Sequence, residues 1–151
     1  MVSKVLVAVD GSENSERALN FALDFADKYG ASLTMINVTE SSALTAMPYD
    51  MNGYPGNSIA SASVAQDLRK FHQGILDKAA EHAKTVKPNL PVEILLKEGN
   101  PASEISSVAN ECNFDVVIIG HRGIGKVREL FMGSICEKVV HTINNTIIIV
   151  K

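Results

Sequence analysis

The chain has 151 residues, 46% of them apolar and 21% charged, with a net charge of −3. That length suits one domain (1–151) with one core, and the acidic balance argues against nucleic acid as the main partner. No apolar run nears the roughly 20 residues that span a bilayer, and Cys112 and Cys136 form neither a CxxC pair nor a disulfide framework.

The N-terminus, Met1 to Asp10, holds one lysine and a short β-branched run. It lacks the long apolar core and cleavage site of a signal peptide, so a cytoplasmic location is expected. Residues 4–9 read as a first strand. Asp10-Gly11-Ser12 turns into a helix capped by Ser12, faced by Ala18, Ala22, Phe25, Ala26 and Tyr29, and ended by Gly30. Residues 32–38 form a second strand. Residues 39–57 follow without a period, rich in Ser, Asn, Gly, Pro, Met and Tyr. A loop this long is either a lid over a ligand or a disordered insertion.

Val64, Leu68, Phe71, Ile75, Ala79, Ala83 and Val86 make a long helical stripe that stops at Pro88 and Pro91. A less cleanly alternating strand follows at 92–97. Asn100 caps, and Pro101 opens, a short helix lined by Ile105, Val108, Ala109 and Cys112. Residues 115–120 form a fourth strand. The last helix carries Ile135, Val139, Val140 and Ile143, and the last strand is Thr146–Val150. The first, fourth and fifth strands are almost continuously apolar, as strands buried on both faces are. Alternation of strand and helix predicts right-handed crossovers and a parallel sheet.

The chemistry gathers after the fourth strand. Gly120, Gly123 and Gly133, followed by Ser134 at a helix start, are what an anion site needs. Glycine lets backbone amides approach phosphate oxygens, and a helix start adds free N–H donors. The alternative for Ser134 is an ordinary cap. Asp10 could accept a ribose hydroxyl, hold a metal-bound water, or simply cap its helix. Gly120 to Lys126 matches most of a Walker A loop, but Val127 stands where a Mg²⁺-coordinating hydroxyl belongs, so a P-loop is rejected. Arg122, Lys126 and Arg128 read as solvated loop cations rather than phosphate ligands. Cys136 reads as a buried structural cysteine rather than a redox centre. His72, His82, His121 and His141 have no metal-ligand spacing; His72 and His82 suit packing or surface roles, and His121 alone sits in the loop.

With Asp10 after the first strand and Gly120-x2-Gly123-x9-Gly133-Ser134 after the fourth, the chain resembles the ATP-binding branch of the universal stress protein family. Val5-Leu-Val-Ala-Val-Asp-Gly-Ser12 and Asp115-Val-Val-Ile-Ile-Gly-His-Arg-Gly123 are similar to that family's first and fourth strand regions. The resemblance implies a doubly wound α/β fold of the adenine-nucleotide alpha-hydrolase-like kind. Its open sheet has five parallel strands in the order 3-2-1-4-5, with helices on both faces. It also implies ATP or another adenine nucleotide over the switch point, accompanied by Mg²⁺ or Mn²⁺. Asp10 and the Val38 backbone would meet the adenosine, with Ala8 and Ile119 near base or ribose. Gly120, Gly123, Gly133 and Ser134 would hold the phosphates, with Ile135 and Cys136 adding contacts, and His121 also counts among the nucleotide-binding residues. Cys136 stands where relatives commonly have Ser or Thr. A homodimer through Thr146–Val150 is implied, in keeping with so apolar an edge.

The resulting expectation is a nucleotide-binding regulatory protein of the stress response. The rival readings are a slow ATPase or nucleotidyl-transferring enzyme, and a ligand-free dimerisation module. Catalysis would need a dedicated base at the γ-phosphate, and Asp10 and His121 are the only candidates.

Overall fold

The computed structural model describes residues 1–40, 58–123 and 132–151, with side chains of the second helix from Ser63 onward. Most of the long polar loop and the Gly125–Lys126 stretch therefore lie outside the described residues. In chain order the elements are β1 (Lys4–Ala8), α1 (Glu13–Tyr29), β2 (Ser32–Thr39), α2 (Ser58–Val86) and β3 (Val92–Glu98). They continue with α3 (Pro101–Glu111), β4 (Val116–Gly120), α4 (Ser134–Thr142) and β5 (Thr146–Val150).

All pairings are parallel and the sheet order is β3-β2-β1-β4-β5, as the alternation and the resemblance imply. Val5 is the hub of the register, opposite Leu33 on β2 and Val116 on β4. Because side chains alternate along a strand, β1 splits its residues between two cores. Val5 and Val7 join Leu33, Met35, Val116 and Ile118 beneath α1 and α2. Leu6 joins Ile36, Val38, Val117 and Ile119 beneath α3 and α4. Both faces are covered, which is why these strands carry apolar residues at nearly every position.

Local signals set the helix ends. Ser12 accepts a hydrogen bond from the Ser15 amide at 3.2 Å, and Gly30 closes α1 in the left-handed region at φ 65°. Asn100 accepts from the Ser103 amide at 3.1 Å, with Pro101 in the first turn of α3.

Helix faces are where periodicity misleads. In α2 the residues driven into the core are Leu76, Ala79 and Ala83, whereas Phe71 is 61% exposed and Val64 and Val86 are also exposed. In α1, Leu19 and Leu23 are buried and Tyr29 is exposed. Cys112 ends α3 at the surface. Tilt across a twisted sheet rotates the buried stripe along a long helix, so one fixed period does not follow it.

Candidate functional site

The carboxyl ends of β1 and β4 are neighbours, while the connections leaving them run to opposite faces of the sheet. A crevice opens at such a point because the two following segments diverge. Here it is a cavity of about 470 Å³. Its walls include Ala8 and Asp10 after β1, Val38 on β2, Ile119 and Gly120 on β4, and Gly123, Gly133, Ser134, Ile135 and Cys136 beyond. The structure thus gathers ten of the eleven residues singled out from sequence around one space. His121, the eleventh, borders it without lining it. An open cleft of about 830 Å³ between α1 and α2 shares Val9, Asp10 and Gly123 but lacks Gly120, Gly133 and Ser134.

The turn after β4 is pinned by its backbone. The His121 amide donates to the Val150 carbonyl at 2.7 Å, and the Gly133 amide donates to the His121 carbonyl at 3.0 Å. The first ties the turn to the end of β5, and the second holds the start of α4 against the end of β4. Gly133 occupies the N-cap position with no side chain to cap the helix. Ser134 is therefore the first helical residue, and its hydroxyl is not a cap. It is exposed at the cavity wall.

Asp10 shows the turn-shaping role directly and leaves one oxygen over. Oδ1 accepts from the Ser12 amide at 2.9 Å, which shapes the turn before α1. Oδ2 faces Gly123: a β-carbon built there would stand 2.6 Å from it. The carboxylate is thus anchored by one oxygen and reaches across the crevice with the other.

Cys136 lies in the first turn of α4 but is only 2% exposed, and burial pushes its thiol pKa up. Desolvation of a thiolate outweighs the pull of the helix start, so the thiol stays protonated at neutral pH. Arg122, read from sequence as a solvated loop cation, lines the cavity instead.

Sequence reasoning passed over the Asn37–His72 pair. Asn37 is 3% exposed in the middle of an apolar strand, and a buried amide there signals a polar partner. Its Nδ2 donates to the Val9 carbonyl at 2.7 Å, and its Oδ1 lies 2.6 Å from His72 Nδ1. Both residues line the cavity. Burial lowers the His72 pKa below the ordinary histidine value, while the Glu40 carboxylate pulls the other way.

Among the described residues, no group of three or more His, Cys, Asp and Glu side chains could hold a metal ion. No helix among the described residues is long and apolar enough to cross a membrane.

Fold and site together define a doubly wound α/β protein with a glycine-rimmed cleft at its switch point. The universal stress protein family model matches residues 1–151, and the chain belongs to that family. The universal stress protein YxiE of Bacillus subtilis is 30% identical over 156 residues, covering 100% of both chains. Two solved structures share the fold. A universal stress protein in complex with cAMP aligns with a TM-score of 0.69 and 21% identity, over 99% of this chain and 96% of the other. The universal stress protein of Archaeoglobus fulgidus in complex with dAMP aligns with a TM-score of 0.62 and 21% identity, over 100% and 98%.

Proposed function

We propose that this chain is a single-domain, cytoplasmic regulatory protein that binds an adenine nucleotide, ATP for preference, and signals its occupancy as a homodimer. The observation that carries the reading is the convergence of Gly120, Gly123, Gly133 and Ser134 on one cavity with the reaching carboxylate of Asp10. Small residues around a helix start admit a polyanion, and a nearby carboxylate suits a ribose hydroxyl. The apolar walls from Ala8, Ile36, Val38 and Ile105 suit a flat base. The cAMP and dAMP complexes of the two fold relatives support an adenine-nucleotide ligand. Mg²⁺ or Mn²⁺ would accompany the triphosphate, held mainly by phosphate oxygens and water.

The dimer is read from the sheet edges. Edge strand β3 carries Glu93, Lys97 and Glu98, charges that discourage pairing with another sheet. The other edge, β5, has the sequence Thr-Ile-Ile-Ile-Val and no charge at all. A second copy laid along β5 would cover it.

The test is to purify the chain from cells and identify co-purifying small molecules by mass spectrometry, then titrate ATP by calorimetry. An adenine nucleotide at near-equimolar ratio is expected. Protein that carries none and binds none in calorimetry overturns the reading.

A further inference from the structure

We infer that His72 is a specificity-determining residue for the base of the bound nucleotide, its Nε2 lone pair accepting a hydrogen bond from the exocyclic amine of adenine. The inference rests on the nucleotide reading above and adds to it the means of choosing the base.

The proton on the ring is placed by Asn37. The Val9 carbonyl can only accept, so the Asn37 amide must turn its NH₂ toward it at 2.7 Å. That leaves Oδ1, an acceptor, facing His72 Nδ1 at 2.6 Å, and the proton between them has to come from the imidazole. A neutral imidazole has one N–H. With it committed to Asn37, Nε2 is a bare acceptor. Asn37 is itself buried and held at both ends of its amide, so ring orientation and tautomer are fixed before any ligand arrives.

Position completes the argument. Gly120, Gly123, Gly133 and Ser134 line the cavity where β4 leads into α4, with Asp10 facing Gly123 from the end of β1. The lining residues contributed by β2 and α2 are Ile36, Asn37, Val38, Leu68 and His72, with Glu40 just after β2, so His72 and Glu40 are the ionisable groups that side supplies. Desolvation keeps the imidazole neutral near neutral pH, as an acceptor requires. The charged groups sharing the cavity with it are Glu40 after β2, Asp10 after β1 and Arg122 after β4. On α2 itself, Arg69 lies 3.9 Å from Glu98 at the end of β3.

Adenine and hypoxanthine nucleotides separate the possibilities, because an amine donor at position 6 becomes a carbonyl acceptor. Calorimetry of the full chain should show ATP preferred to inosine triphosphate by about tenfold near pH ~7.5, the worth of one hydrogen bond. Lowering the pH in steps below the ordinary histidine value of ~6.5 protonates the ring progressively, turns Nε2 into a donor, and should move the ratio toward inosine triphosphate. The two ligands share a triphosphate, so its titration cancels in the ratio. In His72→Phe the preference should shrink and lose its pH dependence while both nucleotides still bind. The wild-type pH series stands even where that variant folds poorly. An ATP preference that ignores pH across the series, or that is as large in His72→Phe as in wild type, overturns the role of His72. Wild-type protein that binds neither nucleotide overturns the nucleotide reading beneath it.

Discussion

The Oδ2 oxygen of Asp10 lies 2.6 Å from the place where Gly123 would carry a β-carbon. No real side chain tolerates that approach, so the smallness of residue 123 is set by a carboxylate across the crevice. Gly123→Ala should displace the Asp10 side chain, which is the movable end of the contact, and leave the fold in place. Loss of one charge-assisted hydrogen bond predicts adenine-nucleotide binding weaker by about ten- to a hundredfold, with the ligand-free melting temperature nearly unchanged. Unaltered affinity in calorimetry would remove Asp10 from the binding site.

Gly120 should fail differently. A β-carbon there would stand 2.8 Å from the Asn14 carbonyl oxygen and 2.9 Å from its carbon, both of them backbone in the first turn of α1. A helix cannot step aside as a side chain can. Gly120→Ala should therefore cost about 1–3 kcal/mol of stability without ligand, as overpacking does. Urea denaturation of the ligand-free protein measures it, and a midpoint equal to wild type would show that α1 yields freely.

Much of this site was legible in the sequence because it is built from residues whose types are themselves signals. Glycines at spaced positions, an aspartate closing an apolar strand and a serine opening a helix each announce a local backbone need. Parallel pairing followed from the alternation of strand and helix, whereas the strand order followed from the family resemblance alone. Asn37 and His72 were harder to see. They are 35 positions apart, and only the packing of α2 across β2 brings them together. Helix faces were misjudged for a related reason: Ile75 packs against the core only partly buried, while Leu76, outside the expected stripe, is fully buried, and the tilt of α2 sets that difference. The reach of Gly123 toward Asp10 could not be read at all, since it depends on how the turn after β4 folds back over β1.

Asp115 gives a pH prediction. Its Oδ2 accepts from the Ser3 amide at 2.7 Å, the Ser3 hydroxyl at 2.9 Å and the Lys4 amide at 2.9 Å. The backbone bonds from Ser3 and Lys4, in that order, hold its pKa below the usual carboxylate value. A lowered native pKa means the folded state binds the proton less readily than the unfolded chain. The stabilisation is fully present above the unfolded value near ~3.9 and is lost as pH falls through the lower native one. Asp115→Asn should thus be less stable than wild type at neutral pH, with the gap narrowing in acid. Chemical denaturation of both proteins across that range checks it, and a gap independent of pH would deny the charge any part.

The two cysteines should react in strict order. Cys112 is exposed, whereas Cys136 is 2% exposed with its thiol pushed up by burial. Alkylation needs an accessible thiolate. Brief iodoacetamide treatment of native protein should label Cys112 alone, with Cys136 labelled only after denaturation. Peptide mass spectrometry reads both positions, and early labelling of Cys136 would mean that the cavity wall at α4 opens readily.

The packing of α2 can be tested by two substitutions five residues apart. Leu76 is fully buried against the α1 side of the sheet. Phe71, larger and equally apolar, is 61% exposed and sets its ring edge-on to His72 at 5.6 Å between centroids. Leu76→Ala removes core atoms and leaves a cavity, so it should cost about 2–5 kcal/mol. Phe71→Ala removes surface and should cost less than about 0.5 kcal/mol. Denaturant midpoints of the two variants decide the matter. Were Phe71→Ala the more damaging, the helix would be rotated about its axis, and His72, the next residue along, would no longer meet Asn37.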